Sequence, residues 1–366
     1  MSRILVAMSG GVDSSVACTL LMDQGHEVSG CTLDLFDQSV SGSAQPCPAT
    51  KAIADSQKVA QRLGIEHRVL TIHGIFREQV IDNFIQTYLD GDTPNPCVQC
   101  NRHIKFGALI DEAVRLGFDS IATGHYARVR KDERTGRYLL QKAIDPAKDQ
   151  SYVLYSLQQD QLARAVFPLG GMSKAEVRSI AAREGFESAH TGESQDICFL
   201  PDGDYAGFLE RERPEAITEG NYLDVQGSII GRHRGVSRYT IGQRRGIAIA
   251  LGYPAYVIDK NAHDNTVTLG ESAYLFASAL FARDVSFIPF EHLEGPLRCT
   301  ARIRYNQGEQ PATIYPCESD MVRVVFDEPQ RAIASGQSVV FFDGDLVVGG
   351  GIIAGIDRPS LTRPTP

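Results

Sequence analysis

The sequence predicts an α/β architecture: a doubly wound parallel sheet in the N-terminal half, then a small central mostly-β domain and a C-terminal β-barrel. Three observations carry this expectation. Apolar runs of strand length alternate with helical stretches as far as about residue 205, the pattern of repeated βαβ units. From Tyr222 onward short β-type runs dominate, punctuated by Gly, Pro, Asn and Asp. Between the first apolar run, Ile4-Leu5-Val6-Ala7-Met8, and the first helix stands Ser9-Gly10-Gly11-Val12-Asp13-Ser14-Ser15, a tight glycine turn at the carboxyl end of a buried strand.

The elements follow in order. Ile4–Met8 reads as a buried strand and Ser14–Leu21 as a helix that Gly25 ends. Glu27–Thr32 is a strand. Ala52–Leu63 is an amphipathic helix closed by Gly64, His67–Ile72 a strand and Ile75–Leu89 a helix. Ile104–Leu116 is a helix ended by Gly117, leading into the strand Ser120–Ala122. Ser173-Lys174-Ala175-Glu176 is a capping box opening a helix that runs to Glu184, with Gly185 behind it. Asp204–Arg213 reads as one last helix. The β-type runs are Gly227–Ile230, Ala255–Ile258, Thr266–Leu269, Ala282–Ser286, Leu297–Tyr305, Gln310–Tyr315, Met321–Phe326, Ser338–Phe342 and Leu346–Ile353. Domain boundaries are expected near 205 and 273, giving 1–205, 206–272 and 273–358, with a frayed, proline-bearing tail over 359–366.

Composition bounds the function. The 366 residues are 43% hydrophobic and 22% charged, ordinary for a soluble globular chain, and no apolar run reaches the length of a membrane span. The first strand starts at Ile4, which leaves no room for a leader and predicts a cytoplasmic protein. In that compartment eight cysteines read as thiols, metal ligands or catalytic groups rather than a disulfide framework. A net charge of −9 argues against coating of nucleic acid by bulk electrostatics but not against binding through local basic patches.

The turn after the first strand is an anion cradle. Backbone N–H groups and the positive end of the helix dipole point to one place, and Gly10 and Gly11 let a phosphate come close. No lysine stands where a Walker loop would carry one. The plain alternative is a ligand-free glycine turn, which the flanking serines and Asp13 make the weaker reading.

The second signal is Thr93-Pro94-Asn95-Pro96-Cys97-Val98-Gln99-Cys100-Asn101. The prolines fix an extended approach, Cys100 is expected just before a helix with Asn101 as its cap, and that position, with Arg102 and Lys105 following, is expected to lower the thiol pKa. Cys198 lies in the polar segment Gly192-Glu193-Ser194-Gln195-Asp196-Ile197-Cys198-Phe199. Three readings stay open: zinc with His190 as a fourth ligand, an iron–sulfur cluster on Cys97, Cys100 and Cys198, or sulfur chemistry by nucleophile and persulfide. Cys18, Cys31, Cys299 and Cys317 read as buried small hydrophobes, and Cys47 is left unassigned.

The turn Ser9–Ser14 resembles the SGGxDS pyrophosphate loop (PP-loop) of ATP pyrophosphatases. Further segments widen the likeness: Pro94-Asn95-Pro96 to Cys100-Asn101, Ala122-Thr123-Gly124-His125-Tyr126-Ala127, Lys148-Asp149-Gln150-Ser151-Tyr152, Glu193 to Phe199, Tyr239-Thr240-Ile241-Gly242-Gln243-Arg244-Arg245-Gly246 and Arg302-Ile303-Arg304-Tyr305. In this order they resemble the tRNA-specific 2-thiouridylases of the bacterial MnmA (TrmU) type over nearly the whole chain.

The resemblance implies ATP- and Mg²⁺-dependent 2-thiolation of the wobble uridine of tRNA, a tRNA-uridine 2-sulfurtransferase activity. It implies an N-terminal PP-loop ATP pyrophosphatase domain and a central tRNA-binding domain. ATP contacts carry over to Ala7, Met8, Ser9, Gly10, Gly11, Val12, Asp13, Ser14, Leu33 and Gly124, with Asp13 among the catalytic residues. Cys198 corresponds to the persulfide-bearing cysteine and Cys100 to the nucleophile, the two closing a disulfide after sulfur release. The target-base loop carries over to Asn95, Pro96 and Cys97, and tRNA contacts to Lys148, Asp149, Gln150, Arg304 and Tyr305. The implied partners are tRNA and a persulfide donor such as a cysteine desulfurase or a sulfur relay; no membrane is involved, and a monomer is expected. Two departures stand out. Some members carry Asp at the position of Cys97, and a third cysteine there favours the iron–sulfur alternative. The segment Asp34-Leu35-Phe36-Asp37 lacks the Trp that many relatives carry.

For an acidic chain, tRNA requires basic patches. Residues 225–258 contain no acidic side chain but hold Arg232, Arg234, Arg238, Arg244 and Arg245. Arg130, Lys131, Arg134, Arg137 and Lys142 form a second group, and Arg302 and Arg304 beside Tyr305 a third. Two rival functions remain: an amide-forming ATP pyrophosphatase, which leaves the paired cysteines unexplained, and a non-catalytic RNA-binding module, against which the intact loop argues.

Overall fold

The computed structural model describes residues 1–36, 48–187, 197–247, 249, 251–318 and 320–357. The chain divides into two compact units. Met1–Ile81, Cys97–Cys198 and Gly344–Val348 form the first, and Asp82–Pro96, Phe199–Asp343 and Gly349–Pro366 the second.

The first unit is built on a parallel sheet. Its strands are β1 (Arg3–Ala7), β2 (Glu27–Asp34), β3 (His67–Thr71), β4 (Ser120–Ala122) and β7 (Ala165–Val166), in the order β3-β2-β1-β4-β7. β1 lies at the centre, pairing in parallel with β2 and β4. Its continuous apolar run fits that place, since a central parallel strand is covered on both faces, and Leu5 and Val6 are fully buried. Helix α1 (Val12–Asp23) follows β1 and shares a core with the helix Lys174–Arg183. Val16, Ala17 and Leu21 meet Val177, Ala181 and Phe186 there. The capping box forms as expected: Glu176 N donates to Ser173 Oγ, and Ser173 N donates back to the Glu176 carboxylate at 2.7 Å. Helix α2 (Pro48–Leu63) runs between β2 and β3.

Two features of this unit depart from the sequence reading. Cys100 does not precede a helix. Residues 96–115 are helical throughout, starting at Pro96, and Cys100–Ala108 is a π-helical stretch in the middle. Pro96 can open a helix because its missing N–H is not needed in the first turn. Asn101 is therefore no cap; it is buried and its side chain donates to Val153 O at 2.9 Å. The basic segment after Ala127 is a hairpin, β5 (Ala127–Lys131) and β6 (Tyr138–Lys142), whose arginines and lysines hide the strand alternation. Leu346 adds to its edge opposite Gln141.

The second unit holds a mixed sheet of β8 (Gly220–Leu223), β9 (Ile229–His233), β10 (Tyr256–Asn261) and β11 (Thr266–Gly270), in the order β10-β11-β8-β9. Tyr222, Val257, Val267 and Leu269 make its core. β9 starts later than expected because Asp224 caps a turn: its carboxylate accepts from Gln226 N and Ser228 N, and Gly227 sits at positive φ. The strands β12 (Phe276–Phe287), β13 (Leu297–Arg302), β14 (Gln310–Pro316), β15 (Val322–Arg331), β16 (Ser338–Asp343) and β17 (Leu346–Ile356) form an antiparallel barrel. They follow the order β12-β15-β14-β13-β16-β17, and β12–β17 pairing closes it. Within this unit Ile258 packs with Leu275 and Ala332, joining mixed sheet and barrel in one core. The doubly wound sheet, the central β domain and the C-terminal barrel of the predicted fold are all present.

Candidate active site

The glycine turn is held by its own serines. Met8 N donates to Cys31 O at 2.7 Å, extending the β1–β2 pairing to the last residue before the turn. Ser9 N donates to Ser14 Oγ at 3.2 Å, and the Ser14 and Ser15 hydroxyls donate to Gly11 O at 3.2 and 2.9 Å. Gly11 is the extended residue before α1, so the first-turn N–H groups of Val12 and Asp13 belong to the anion-attracting end of a twelve-residue helix. Gly10 has φ +73°, and a Cβ there would lie 3.0 Å from Asp55 Cβ and 3.1 Å from Ala52 O, both on α2. Gly124, just past β4, closes the other wall: a Cβ would stand 2.8 Å from Ser14 N and 2.9 Å from Asp13 Cβ. Ala7 ends β1, Met8 is buried, and Leu33 lies half-buried near the end of β2. Ala7 to Ser14, Leu33 and Gly124 thus lie at or beside the carboxyl ends of three adjacent strands, where α/β sheets bind ligands.

The sequence reading missed the partners of Asp13. Lys174 Nζ donates to both Asp13 oxygens at 2.7 and 2.8 Å, and Tyr126 Oη donates to Asp13 Oδ1 at 2.8 Å. The ammonium also lies 5.6 Å from the centre of the Tyr126 ring. Lys174 is buried, and it is the first residue of its helix after the Ser173 cap. The sequence marks that cap, but nothing local links it to a loop so far upstream. Because both Asp13 oxygens are engaged, Asp13 as placed does not suit a Mg²⁺ ligand; the ion would enter with the phosphates of the nucleotide.

The thiols share the first unit. Cys100 is half-buried, while Cys97 and Cys198 keep exposed surface although the surrounding chain crowds them. Loss of water raises all three thiols. For Cys198 the nearby Cys100 and Cys97 add to this and push the value up to about 12. The Lys105 ammonium, on the same π-helical stretch as Cys100, acts in the opposite direction on each of them. The expected lowering at Cys100 is thus not found: the residue lies inside a helix rather than at its end, and burial outweighs Lys105. Burial, and after it Lys105, also hold His125 well below the usual histidine range; its ring nitrogen lies 2.6 Å from Thr123 Oγ1.

Among the described residues no group of three His, Cys, Asp or Glu is placed to hold a metal ion. His190, Cys47, Asp37, the segment 192–196 and the tail 359–366 lie outside the described residues. Cys18, Cys31 and Cys299 are buried as expected, with Cys18 and Cys299 pushed up to about 12. Cys317 is instead exposed, just past the end of β14.

The candidate tRNA contacts divide. Asp149 is 5% exposed; it accepts from Ala143 N, Ser151 N and Ser151 Oγ, which makes it a brace for the turn that carries Lys148 and Gln150. Gln150 Oε1 accepts from Tyr126 N. Arg304 donates to Ala332 O, and Tyr305 is exposed. Several basic residues are neutralised: Arg302 pairs with Glu309 over the Phe342 ring, Arg238 with Glu210 and Arg232 with Glu219. Arg130, Lys131 and Arg134 stand exposed on the hairpin, and Arg234, Arg244 and Arg245 on loops of the second unit. Asn95 is half-buried and Pro96 buried, and Gln337 donates to Thr93 O and Pro94 O just ahead of them. Among the described residues no helix is long and apolar enough to cross a membrane.

Comparison with known proteins places the chain. Residues 2–202 match a family described as the tRNA methyl transferase HUP domain, 206–271 its PRC-barrel domain, and 277–353 an aminomethyltransferase beta-barrel domain. The tRNA-specific 2-thiouridylase MnmA of Clostridioides difficile is 48% identical over 352 residues, covering 96% of this chain and 98% of that protein. The one from Moorella thermoacetica is 49% identical over 354 residues, with 96% and 99% covered. A solved 4-thiouridine synthetase–RNA complex with bound ATP covers 59% of this chain and 51% of its own at 18% identity, with a TM-score of only 0.37. On the strength of full-length relatives near half identity, the chain belongs to the tRNA-specific 2-thiouridylase family of the MnmA type.

Proposed function

We propose that this protein is a tRNA-uridine 2-sulfurtransferase acting on the wobble uridine. The observation that carries this reading is the presence, in one unit, of a serine-pinned PP-loop and of three thiols, with Cys97 and Cys100 near enough to Cys198 to raise it. ATP, bound along Ala7–Ser14, Leu33 and Gly124, is attacked at its α-phosphorus by O2 of uracil, and pyrophosphate leaves toward the N-terminus of α1. Mg²⁺, entering with the nucleotide, would supply charge compensation on its phosphates. Adenylation turns a poor leaving oxygen into AMP. A persulfide on Cys198 attacks C2 with its terminal sulfur and AMP departs. The Cys100 thiolate then takes the inner sulfur: the S–S bond breaks, the thiocarbonyl forms, and a Cys100–Cys198 disulfide remains for a reductant to reopen. Asn95, Pro96 and Cys97 are assigned to the target base, which must leave its stack to react. Lys148, Gln150, Arg304 and Tyr305 are assigned to tRNA, with Asp149 bracing the first two. A persulfide donor protein, monomeric state and the division 1–205, 206–272 and 273–358 complete the proposal.

Methyl transfer, which two of the family descriptions name, would use neither a pyrophosphate loop nor paired thiols. The test is pyrophosphate release on adding tRNA to protein and ATP, with mass spectrometry of the nucleosides after a persulfide donor is supplied. Release that depends on tRNA, followed by 2-thiouridine, is expected. In Asp13→Ala, tRNA-dependent release is expected to fall at least about a hundredfold, because the loop loses the Lys174 and Tyr126 contacts that pin it and no longer aligns the triphosphate. Release without tRNA, or a fully active Asp13→Ala, overturns the reading.

A further inference from the structure

An anion cradle with a carboxylate in it poses a problem. Asp13 lies in the first turn of α1, where the incoming triphosphate must also lie, and like charges a few ångströms apart repel strongly in a partly desolvated site. Lys174 answers it. Its ammonium reaches both Asp13 oxygens at 2.7 and 2.8 Å, with Tyr126 Oη on one of them.

The arrangement is built rather than incidental. Lys174 is 7% exposed and starts a helix whose capping box fixes its direction. Its own N–H is held by Asp145 Oδ2 at 3.0 Å, and the Tyr126 ring lies against its side chain. A flexible surface lysine has none of these restraints.

We propose that Lys174 is a positioning residue for the nucleotide: it cancels the Asp13 charge and, with Tyr126, pins the loop so that the cradle presents net positive potential to the β- and γ-phosphates. The role a Walker loop gives to its own lysine is here divided. The backbone of residues 9–14 supplies the phosphate contacts, and a lysine from a distant helix supplies the charge correction. The inference rests on ATP binding at this loop, which the proposed function already requires.

The test compares affinities for MgATP and AMP by calorimetry on the full-length protein. Lys174→Met is expected to weaken MgATP at least about tenfold while AMP changes less than about twofold, because an uncompensated carboxylate opposes the outer phosphates. Lys174→Arg is expected to keep most of the MgATP affinity. The discriminating variant is Lys174→Met with Asp13→Asn, which removes both charges and keeps the shape; it is expected to regain MgATP affinity to within about threefold of wild type. A double variant as weak as Lys174→Met overturns charge cancellation in favour of direct phosphate contact. Equal losses for MgATP and AMP reduce Lys174 to a packing residue. Wild-type protein that ignores MgATP overturns the functional reading, and this inference with it.

Discussion

The pyrophosphate loop and the thiol cluster sit in the same unit and are built on opposite principles. The loop is assembled from contiguous residues whose side chains bind their own backbone, and its dipole and N–H groups are in place before any ligand arrives. The thiols come from the helical turn Pro96–Gln99, from the π-helical stretch behind it and from a segment far along the chain, and each is held away from its reactive form by loss of water. The contrast teaches that phosphate binding can be ready at rest, whereas sulfur chemistry is kept waiting. A protonated thiol neither attacks nor oxidises readily, and the Lys105 ammonium is the group that favours the thiolate at all three positions.

The largest expected effect separates the two regions. Cys198→Ala is expected to abolish 2-thiouridine formation while tRNA-dependent pyrophosphate release stays within about threefold, because the loop does not depend on that thiol. Thiolation persisting in this variant would remove Cys198 from the mechanism. The converse substitution is Gly124→Ala. Its Cβ would stand 2.8 Å from Ser14 N, where only backbone can yield, so a loss of about 1–3 kcal/mol in stability is expected together with a large loss of ATP affinity. Denaturant unfolding and ATP titration check both, and a variant of wild-type stability and affinity would mean that the wall is soft.

A smaller effect sharpens the comparison through pH. With its value at about 12, Cys198 is almost wholly protonated at pH 7, and its thiolate fraction rises about tenfold per unit toward that value. Iodoacetamide alkylation of Cys198 should therefore be slower than that of a free cysteine at pH 8 and still be climbing above pH 10. Lys105→Met removes the one lowering cation shared by all three thiols and should move the profiles of Cys97, Cys100 and Cys198 further up. A Cys198 rate that levels off near pH 8 would contradict the crowded placement.

Legibility in the sequence followed the same line. Ser9–Ser15 could be read because glycine, serine and helix start are neighbours, and the capping box at Ser173 for the same reason. The strands of the barrel were recoverable from turn residues, with ends displaced where a side chain such as Asp224 captured the turn. What stayed hidden depends on burial and distance: the early start of the Cys100 helix, the strands beneath the arginines of the hairpin, the neutralised Arg238 and Arg302, and the hold of Lys174 on Asp13. The family likeness supplied roles for the cysteines but not their protonation, which only the packed structure sets.

The Asp13–Lys174 contact spans 161 positions of the chain. During synthesis the glycine turn emerges from the ribosome long before the helix that completes it exists, and contacts between such distant segments form late. On the role proposed for Lys174, competence for nucleotide would be among the last properties the first unit acquires, although its signature is among the first residues translated. A nascent or truncated chain ending before residue 174 would carry the motif without the charge partner of Asp13.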